Sequence, residues 1–191
     1  MSKQYTVIYN TTKTMHGGKS MKSIFLLIGV SLLFVSVGAH AGEWIVDSKT
    51  GCKSWNPNPL PNETISWSGE CVDGYTSGLG TEIWYKDGKE NGYYKGEMRR
   101  GKMDGKGAYT WANGNKYEGD YVDGKRTGKG SFSWANGDKY IGDFVDGKRT
   151  GKGIYTWANG NKYEGDFVDG KGTGKGTFNG NKYEGTWDGG W

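Results

Sequence analysis

Carboxylates are the residues of this sequence that could do chemistry, because other catalytic types are scarce. The only two histidines, His16 and His40, precede residue 42. The rest of the chain therefore has no imidazole to serve as a general base, a metal ligand or part of a Ser-His-Asp triad. Paired carboxylates could still supply acid–base catalysis or bind Ca²⁺.

The candidate acids recur at intervals of 23 residues, whereas a catalytic pair should be unique. They are Asp120, Asp123, Asp143, Asp146, Asp166 and Asp169. We interpret them as solvated turn and sheet-face residues. Calcium binding is a weaker alternative, because Lys125 and Arg126 stand beside Asp123. The GTGKG segments resemble phosphate loops only superficially, since a P-loop needs GxxxxGK[ST] between a strand and a helix. We predict no enzyme activity, no metal and no cofactor.

These acids belong to a tandem repeat. Residues 117–139 read YEGDYVDGKRTGKGSFSWANGDK, and residues 140–162 match them at 17 of 23 positions. Another copy occupies residues 94–116, and a shortened copy begins at Tyr163. A degenerate first copy begins at Trp67 and keeps the glycine spacing, with four extra residues before Tyr94. Self-similarity at such a period is typical of a repeat architecture.

Each copy alternates apolar and polar residues, as a half-buried strand does. Tyr117, Gly119 and Tyr121 share one face, and Glu118 and Asp120 share the other. Turn residues separate two such strands in each copy. The sequence therefore predicts an all-β protein: an elongated, twisted, single-layer antiparallel β-meander of tandem 23-residue hairpins.

The odd period restricts the register, because directly paired residues of an antiparallel sheet lie on one face. One of the two loops in each repeat must therefore contain an even number of residues, and the other an odd number. We predict a four-residue loop at Gly124–Thr127 and a three-residue loop at Asn136–Asp138. Aromatic residues then face glycines in two of three ladders. The first ladder reads Tyr117, Trp134, Tyr140, Trp157, Tyr163; the second Gly119, Phe132, Gly142, Tyr155, Gly165; the third Tyr121, Gly130, Phe144, Gly153, Phe167.

The pattern YxGxxxxGxxxGxGxxxxxxGxx resembles the MORN repeat family over roughly residues 67–191. It is carried here by Tyr117, Gly119, Gly124, Gly128, Gly130 and Gly137, and again 23 residues later. The segment CKSWNPNPLPNETISWSGECVDG also resembles the leading region of exported bacterial MORN proteins. The resemblance implies an elongated β-meander used for protein association or scaffolding, and a proposed affinity for phospholipids.

The leading section has the pattern of a secretory signal peptide. Lys22 precedes an apolar run at Ile24–Val37, and Ala39-His40-Ala41 fits a small-x-small cleavage site. We expect residues 21–41 to be the signal peptide, cleaved before Gly42; an uncleaved anchor is the alternative. Residues 1–20 are expected to be a non-native upstream extension or disordered. The predicted location is the periplasm, the cell surface or the medium.

Residues 42–66 are expected to form a Pro-rich cap, since all three prolines fall there, and residues 67–191 the repeat array. Cys52 and Cys71 are the only cysteines. In an exported chain two cysteines favour a disulfide. A metal-binding thiol pair would need CxxC spacing or a His partner.

The charge balance argues against nucleic acid as a partner. Residues 1–41 hold four of the 25 basic residues and none of the 21 acids, so the remainder carries both signs in equal number. The bulk electrostatic footprint of a nucleic-acid-binding protein is therefore missing.

The aromatic ladders offer a candidate binding surface, and the alternative is that these rings are the sheet's own core. Its members are Tyr94, Trp111, Tyr117, Trp134, Tyr140, Trp157 and Tyr163. We predict an exported, non-enzymatic interaction scaffold with an unidentified protein partner. The alternative is a glycan- or phospholipid-binding module of the cell envelope that uses these rings and the loop cations Lys125, Arg126, Lys148 and Arg149.

Overall fold

The structure is a computed structural model that describes residues 42–179 and 181–184. These residues form fourteen strands in one sheet. No helix among them is long and apolar enough to cross a bilayer. The strands are β1 Glu43–Val46, β2 Lys53–Asn56, β3 Glu63–Trp67, β4 Glu70–Val72, β5 Tyr75–Lys86, β6 Lys89–Arg99, β7 Lys102–Trp111, β8 Lys116–Val122, β9 Lys125–Ser133, β10 Lys139–Val145, β11 Lys148–Thr156, β12 Lys162–Val168, β13 Lys171–Phe178 and β14 Asn181–Glu184.

The topology is an antiparallel meander. From β5 to β14 each strand pairs with the next one in the chain, while β3 and β4 both pair with the first long strand, β5. The hairpin β1–β2 joins the sheet through one parallel pair, Lys53 with Tyr75. The predicted all-β, single-layer meander of hairpin repeats is confirmed.

The first turn of each repeat is tighter than predicted. Asp123 and Gly124 both have positive φ, 50° and 80°, and Val122 pairs with Lys125 across them. This is the two-residue type I′ hairpin turn that Asp-Gly favours. The predicted four-residue loop at Gly124–Thr127 is wrong, because the extra residues bulge from β9 as Gly128 and Lys129 instead.

The second turn has the predicted length but begins one residue earlier. The Gly137 amide donates to the Trp134 carbonyl at 3.0 Å, and the Trp134 amide donates to the Asp138 carbonyl at 2.9 Å. The three loop residues are therefore 135–137, closed by Gly137 at φ 97°. A tight turn ending in a left-handed glycine is a common three-residue hairpin loop.

These two corrections shift the ladders. Tyr117 pairs with Phe132, and Gly119 pairs with Gly130 rather than with an aromatic residue. The predicted pairs of the second and third ladders are therefore wrong, although Tyr121, Phe144 and Phe167 each pair with a different glycine, as Phe144 does with Gly128. The glycines still leave space for aromatic rings, as predicted, but the ring belongs to a residue diagonally across the strands and not to the directly paired one. For example, a methyl group on Gly130 would lie 2.6 Å from the Tyr117 hydroxyl oxygen. The rings of Tyr94, Tyr117 and Tyr140 each lie over two glycines, which leave room for them because they have no side chain.

One tyrosine from each repeat lies at the same position of the sheet, and together these tyrosines form the core of the array. Tyr94, Tyr117, Tyr140 and Tyr163 are at most 1% exposed. Each hydroxyl donates to the backbone carbonyl three residues later, as Tyr140 does to Asp143 at 3.1 Å. Trp67 fills the same position in the first copy, donating from Nε1 to the Glu70 carbonyl at 2.8 Å. The repeat pattern is thus visible in the structure from Trp67 onward.

The segment before Trp67, which we call the strap (residues 42–66), is tied to the array. Cys52 and Cys71 form a disulfide, as predicted. Buried Asp47 accepts a hydrogen bond from the Trp67 amide at 3.2 Å. The Trp55 amide donates to the Gly101 carbonyl at 2.7 Å. The strap is therefore fixed both to the first copy and to the β6–β7 turn.

Loss of the disulfide should lower the free energy of unfolding by about 2 to 3 kcal/mol, because it closes a loop of roughly 20 residues in the unfolded chain. Urea unfolding with and without reductant measures the difference. The variant Cys52→Ala/Cys71→Ala is the control, since reductant should not change its stability. Two free thiols in protein prepared without reductant would contradict the bond.

Candidate functional site

The predicted binding surface divides into two layers. Its four tyrosines are buried under the rest of the aromatic face and cannot contact a ligand in the folded array. Its three tryptophans, Trp111, Trp134 and Trp157, are half-buried and lie at the surface of the same face. The tyrosines must therefore be removed from the candidate surface.

Sequence reasoning missed other members of this surface. Tyr109, Phe132 and Tyr155 each pack beside the tryptophan two residues later, at ring-centroid distances of 4.5 to 4.7 Å. Contacts between repeats connect these pairs, as between Trp134 and Tyr155 at 5.2 Å. The result is a continuous row of rings across the strands. In the described part of the chain no second sheet or helix covers it.

Arg126 lies within this row in a box of aromatic rings. Its guanidinium carbon is 5.4 to 6.0 Å from four ring centroids, and Nη2 donates to the Gly147 carbonyl at 2.8 Å. Arg149 repeats this arrangement 23 residues later, donating to the Gly170 carbonyl. The rings of the first box are Trp111, Tyr117, Phe132 and Phe144; those of the second are Trp134, Tyr140, Tyr155 and Phe167.

The two arginines differ from the neighbouring lysines in how their charge is balanced. Lys125 pairs with Asp146 at 3.0 Å, and Lys148 pairs with Asp169 at 2.7 Å. The described residues provide neither arginine with a carboxylate partner. Burial lowers the pKa of both arginines, but a guanidinium stays charged in proteins. Ring faces stabilise such a cation.

The same position in the preceding repeat is occupied by Met103. The backbone establishes the equivalence: the amides of Gly124 and Gly147 donate to the carbonyls of Met103 and Arg126, both at 2.9 Å. The rings that correspond to the Arg126 box are Trp84, Tyr94, Tyr109 and Tyr121. All four equivalent positions are therefore aromatic, and three of these rings, Trp84, Tyr109 and Tyr121, line one cavity together with the neutral side chain of Met103.

Glu82 adjoins this box on the buried face. In the sheet it stands between Trp67 and Tyr94, where later repeats carry Tyr109, Phe132 and Tyr155. It is 0% exposed, and neither carboxylate oxygen has a hydrogen-bond partner. A buried carboxylate without a donor is costly and calls for an explanation.

The pKa of Glu82 is raised to about 7, chiefly by burial and to a smaller extent by the negative charge of Glu63. Ser54 and Trp84 oppose this shift, because their polar hydrogens favour the charged form. Neither forms a well-aligned hydrogen bond to the carboxylate: Ser54 Oγ donates to the Gly101 carbonyl at 3.2 Å, and Trp84 Nε1 has no acceptor. Near neutral pH the site can thus hold or release a proton.

Glu82 lies in the wall of a cavity of about 590 Å³ between the strap and the array. Trp84, Met103, Tyr109, Trp111, Tyr121 and Arg126 line its array side, and Trp55, Pro57 and Leu60 its strap side. A smaller cavity of about 170 Å³ lies farther along the same face, beside Arg149 and Trp134. Both cavities open on the aromatic face.

The repeated aspartates are engaged in ion pairs on the opposite, polar face and at the turns. Lys129, for example, pairs with Asp143 at 2.6 Å, and Lys102 pairs with Asp123 at 2.6 Å. The geometry agrees with the interpretation of these acids as turn and face residues. Within residues 42–179 and 181–184, no three His, Cys, Asp or Glu side chains are grouped closely enough to hold a metal ion.

Comparison with known proteins identifies the repeat. A family model described as the MORN repeat matches four consecutive segments, residues 94–116, 117–139, 140–162 and 163–182. These boundaries coincide with the copies that begin at Tyr94, Tyr117, Tyr140 and Tyr163. No curated protein matches the chain.

Proposed function

The chain belongs to the MORN repeat family, and from this premise we propose that it is a non-enzymatic interaction scaffold that acts after export from the cell. MORN repeats are typical of proteins with binding roles. The aromatic face carries the proposal, because it is a continuous row of rings and guanidinium groups, and in the described part of the chain no second sheet or helix lies over it. Contiguous apolar surface of this kind usually marks an interaction site.

The composition of that face favours a protein partner. Tryptophan, tyrosine and arginine are the residues that dominate the binding energy of protein interfaces. Trp134 and Arg149 lie together on the face, with the guanidinium 5.4 Å from the indole centroid. The scaffold would therefore present rigid anchors that lose little conformational freedom on binding.

The charges support a non-enzymatic role and argue against a lipid headgroup as the main ligand. The turn lysines Lys125 and Lys148 are paired with aspartates, so they offer little net positive charge to a phosphate. The recurring acids are likewise paired. Among the described residues the buried acids are Asp47 and Glu82, and neither carboxylate oxygen of Glu82 has a hydrogen-bond partner.

Export is supported by the signal-peptide pattern of residues 21–41 and by the disulfide, since disulfides persist in oxidising compartments. Residues 1–41 lie outside the described part of the chain. In this proposal residues 21–41 are removed, the strap caps the sheet, and residues 67–191 form the array. The site of action is the periplasm, the cell surface or the medium.

Partner capture with the full chain from envelope extract tests the scaffold function. The test variant Arg126→Met/Arg149→Met replaces each boxed arginine with the residue that the chain itself uses at Met103. The matched control Lys129→Met/Lys152→Met removes two cations from the opposite face. We expect a saturable protein partner that binds the control as it binds the wild type and binds the test variant at least tenfold more weakly.

Glycan arrays and sedimentation with anionic vesicles distinguish the protein-binding scaffold from the alternative, a glycan- or phospholipid-binding module. Saturable glycan or vesicle binding that the arginine variant loses, without a captured protein, would replace the scaffold with an envelope-binding module. Turnover of a substrate by homogeneous protein would overturn the non-enzymatic assignment. Circular dichroism of both variants checks that the sheet is intact.

A further inference from the structure

We propose that the cavity between the strap and the array is a binding site for an organic cation, a guanidinium group, with Glu82 as its counter-ion. This proposal is independent of the scaffold function, because it concerns one cavity rather than the whole aromatic face. It rests on three observations. The boxes around Arg126 and Arg149 each hold a guanidinium group, the equivalent set of rings near Met103 has no cation of its own, and the unpartnered carboxylate of Glu82 lies in the same cavity as Met103.

The two filled boxes show what such a set of rings accommodates. In each, four rings surround a guanidinium at 5.4 to 6.0 Å, and a backbone carbonyl of the next turn accepts a hydrogen bond from it. Neither box contains a carboxylate. The rings and one carbonyl are therefore sufficient to hold an arginine that is already part of the chain.

The Met103 box has the same framework without the cation. Tyr94 and Tyr121 meet edge to face at 5.4 Å, as Tyr117 and Phe144 do at 5.0 Å in the Arg126 box. Met103 is partly buried against this cluster. The position that supplies a positive charge in the next two repeats, as Arg126 and Arg149, is therefore neutral in this one.

Glu82 is the second departure from the repeat, and it lies in the wall of the same cavity. An aromatic residue would complete the ladder there, as Tyr109 does next to Tyr94. The chain instead buries a carboxylate with both oxygens unpartnered. The neutral side chain of Met103 and the unpaired carboxylate of Glu82 lie in one cavity. Together they suit a positively charged group that comes from outside the chain.

The charged groups around the cavity do not already supply that cation. Lys102 Nζ lies 2.6 Å from Asp123, and Lys125 Nζ lies 3.0 Å from Asp146. Arg126 is held by its own rings and by Gly147. The neighbouring charge that shifts the pKa of Glu82 is the carboxylate of Glu63, which raises it. Glu63 accepts a hydrogen bond from Asn56 at 2.6 Å. Because Lys102 and Lys125 are paired with aspartates, the lining leaves two acids, Glu82 and Glu63, against one cation, Arg126, and this balance favours a cationic ligand over an anionic one.

The cavity is large enough for more than a bare guanidinium. Its volume of about 590 Å³ is within the range of small-molecule sites, roughly 300 to 1,000 Å³. Trp55, Pro57 and Leu60 form an apolar wall opposite the rings. This wall suits the methylene stem of an arginine side chain, whether the arginine is free or part of a peptide.

Binding of Nα-acetyl-arginine amide to the full chain at pH 8 tests the proposal. Indole ¹H–¹⁵N signals report the binding, and Trp84→Phe assigns the signal of the indole next to Glu82. The citrulline analogue has nearly the same shape without the charge, and we expect it to bind at least tenfold more weakly. Glu82→Gln should weaken arginine binding at least tenfold, whereas Glu118→Gln, on the exposed polar face, should not change it.

Two further arms strengthen the test. Met103→Arg should fill the box from within, as Arg126 does, and abolish binding of the ligand while the protein stays folded. A Gly-Gly-Arg-Gly-Gly peptide compared with free arginine identifies the source: tighter binding of the peptide indicates a side chain of a partner, and tighter binding of free arginine indicates a small molecule.

The affinity should also rise about tenfold between pH 6 and pH 8, because Glu82 ionises in that interval. Glu63 is the other acid facing it, and the neighbouring tyrosines Tyr94 and Tyr109 have pKa values raised by burial, so they stay neutral there. Equal affinity for the citrulline analogue, unchanged affinity of Glu82→Gln, or no binding of any arginine probe would each overturn the proposal; stacking of a neutral ligand would explain the first two results.

Discussion

Glu82→Gln is expected to remove a pH-dependent loss of stability of about 3 kcal/mol. The folded protein raises the pKa of Glu82 to about 7 from 4.5. A difference of this size corresponds to about 3 kcal/mol, at 1.36 kcal/mol for each pKa unit. The side chain is fully buried, so solvent screening does not reduce the effect much.

The direction of the pH dependence follows from which state, folded or unfolded, holds the Glu82 proton more tightly. Below pH 4.5 both the folded and the unfolded chain carry a protonated Glu82, and the group does not disfavour folding. Between pH 4.5 and 7 the unfolded chain releases the proton while the folded chain retains it, so stability falls as pH rises. Above pH 7 both states are ionised, and the full cost of the buried charge remains.

Urea unfolding of the full chain from pH 4 to pH 8.5 measures this dependence. The wild-type free energy of unfolding should decline through the interval by about 3 kcal/mol more than that of Glu82→Gln. Glu118→Gln removes an exposed acid from the opposite face and should retain the wild-type decline. A saturating guanidinium ligand should reduce the decline in the wild type, since it stabilises the ionised form. Parallel curves for the wild type and Glu82→Gln would contradict the assignment.

The alternation of residues was sufficient to predict the strands, their faces and the meander. It could not fix the register, because a shift by two residues leaves every side chain on its predicted face. The bulge at Gly128 and Lys129 is such a shift. The dipeptide Asp123-Gly124 was the available signal, since Asp-Gly favours a two-residue turn with positive φ at both positions.

The candidate site was predicted only in outline, because alternation places rings on a face without giving their depth. The spacing Tyr-x-Gly distinguishes the buried tyrosines from the half-buried tryptophans. A ring two residues before a glycine can pack flat against the backbone, as Tyr140 does against Gly142. The tryptophans have no such glycine and stay at the surface. Glu82 was hidden by the four extra residues of the first copy, which obscure its alignment with Tyr109.

Gly142→Ala is expected to lower the free energy of unfolding by about 3 to 4 kcal/mol, at the upper end of overpacking effects. Its methyl group would lie 2.7 Å from both the Gly153 Cα and the Lys152 carbonyl oxygen, and it would overlap the Tyr140 hydroxyl. The first two atoms belong to the paired strand β11 and cannot rotate away. The ring is fully buried and its hydroxyl is bound to the Asp143 carbonyl, so it has no alternative position.

Gly160→Ala is the matched control in the next turn of the same face. It introduces the same methyl group where nothing lies within 4 Å, but at φ 88°. Its expected cost is that of a left-handed L-residue, about 1 to 2 kcal/mol. Chemical unfolding of the two variants compares close packing with backbone strain directly. Because each repeat contacts its neighbours in sequence, a local defect at Gly142 should also split the unfolding transition of the array into two. Equal costs for the two substitutions would show that the glycine ladder is maintained for its turns and not for the tyrosine rings that lie upon it.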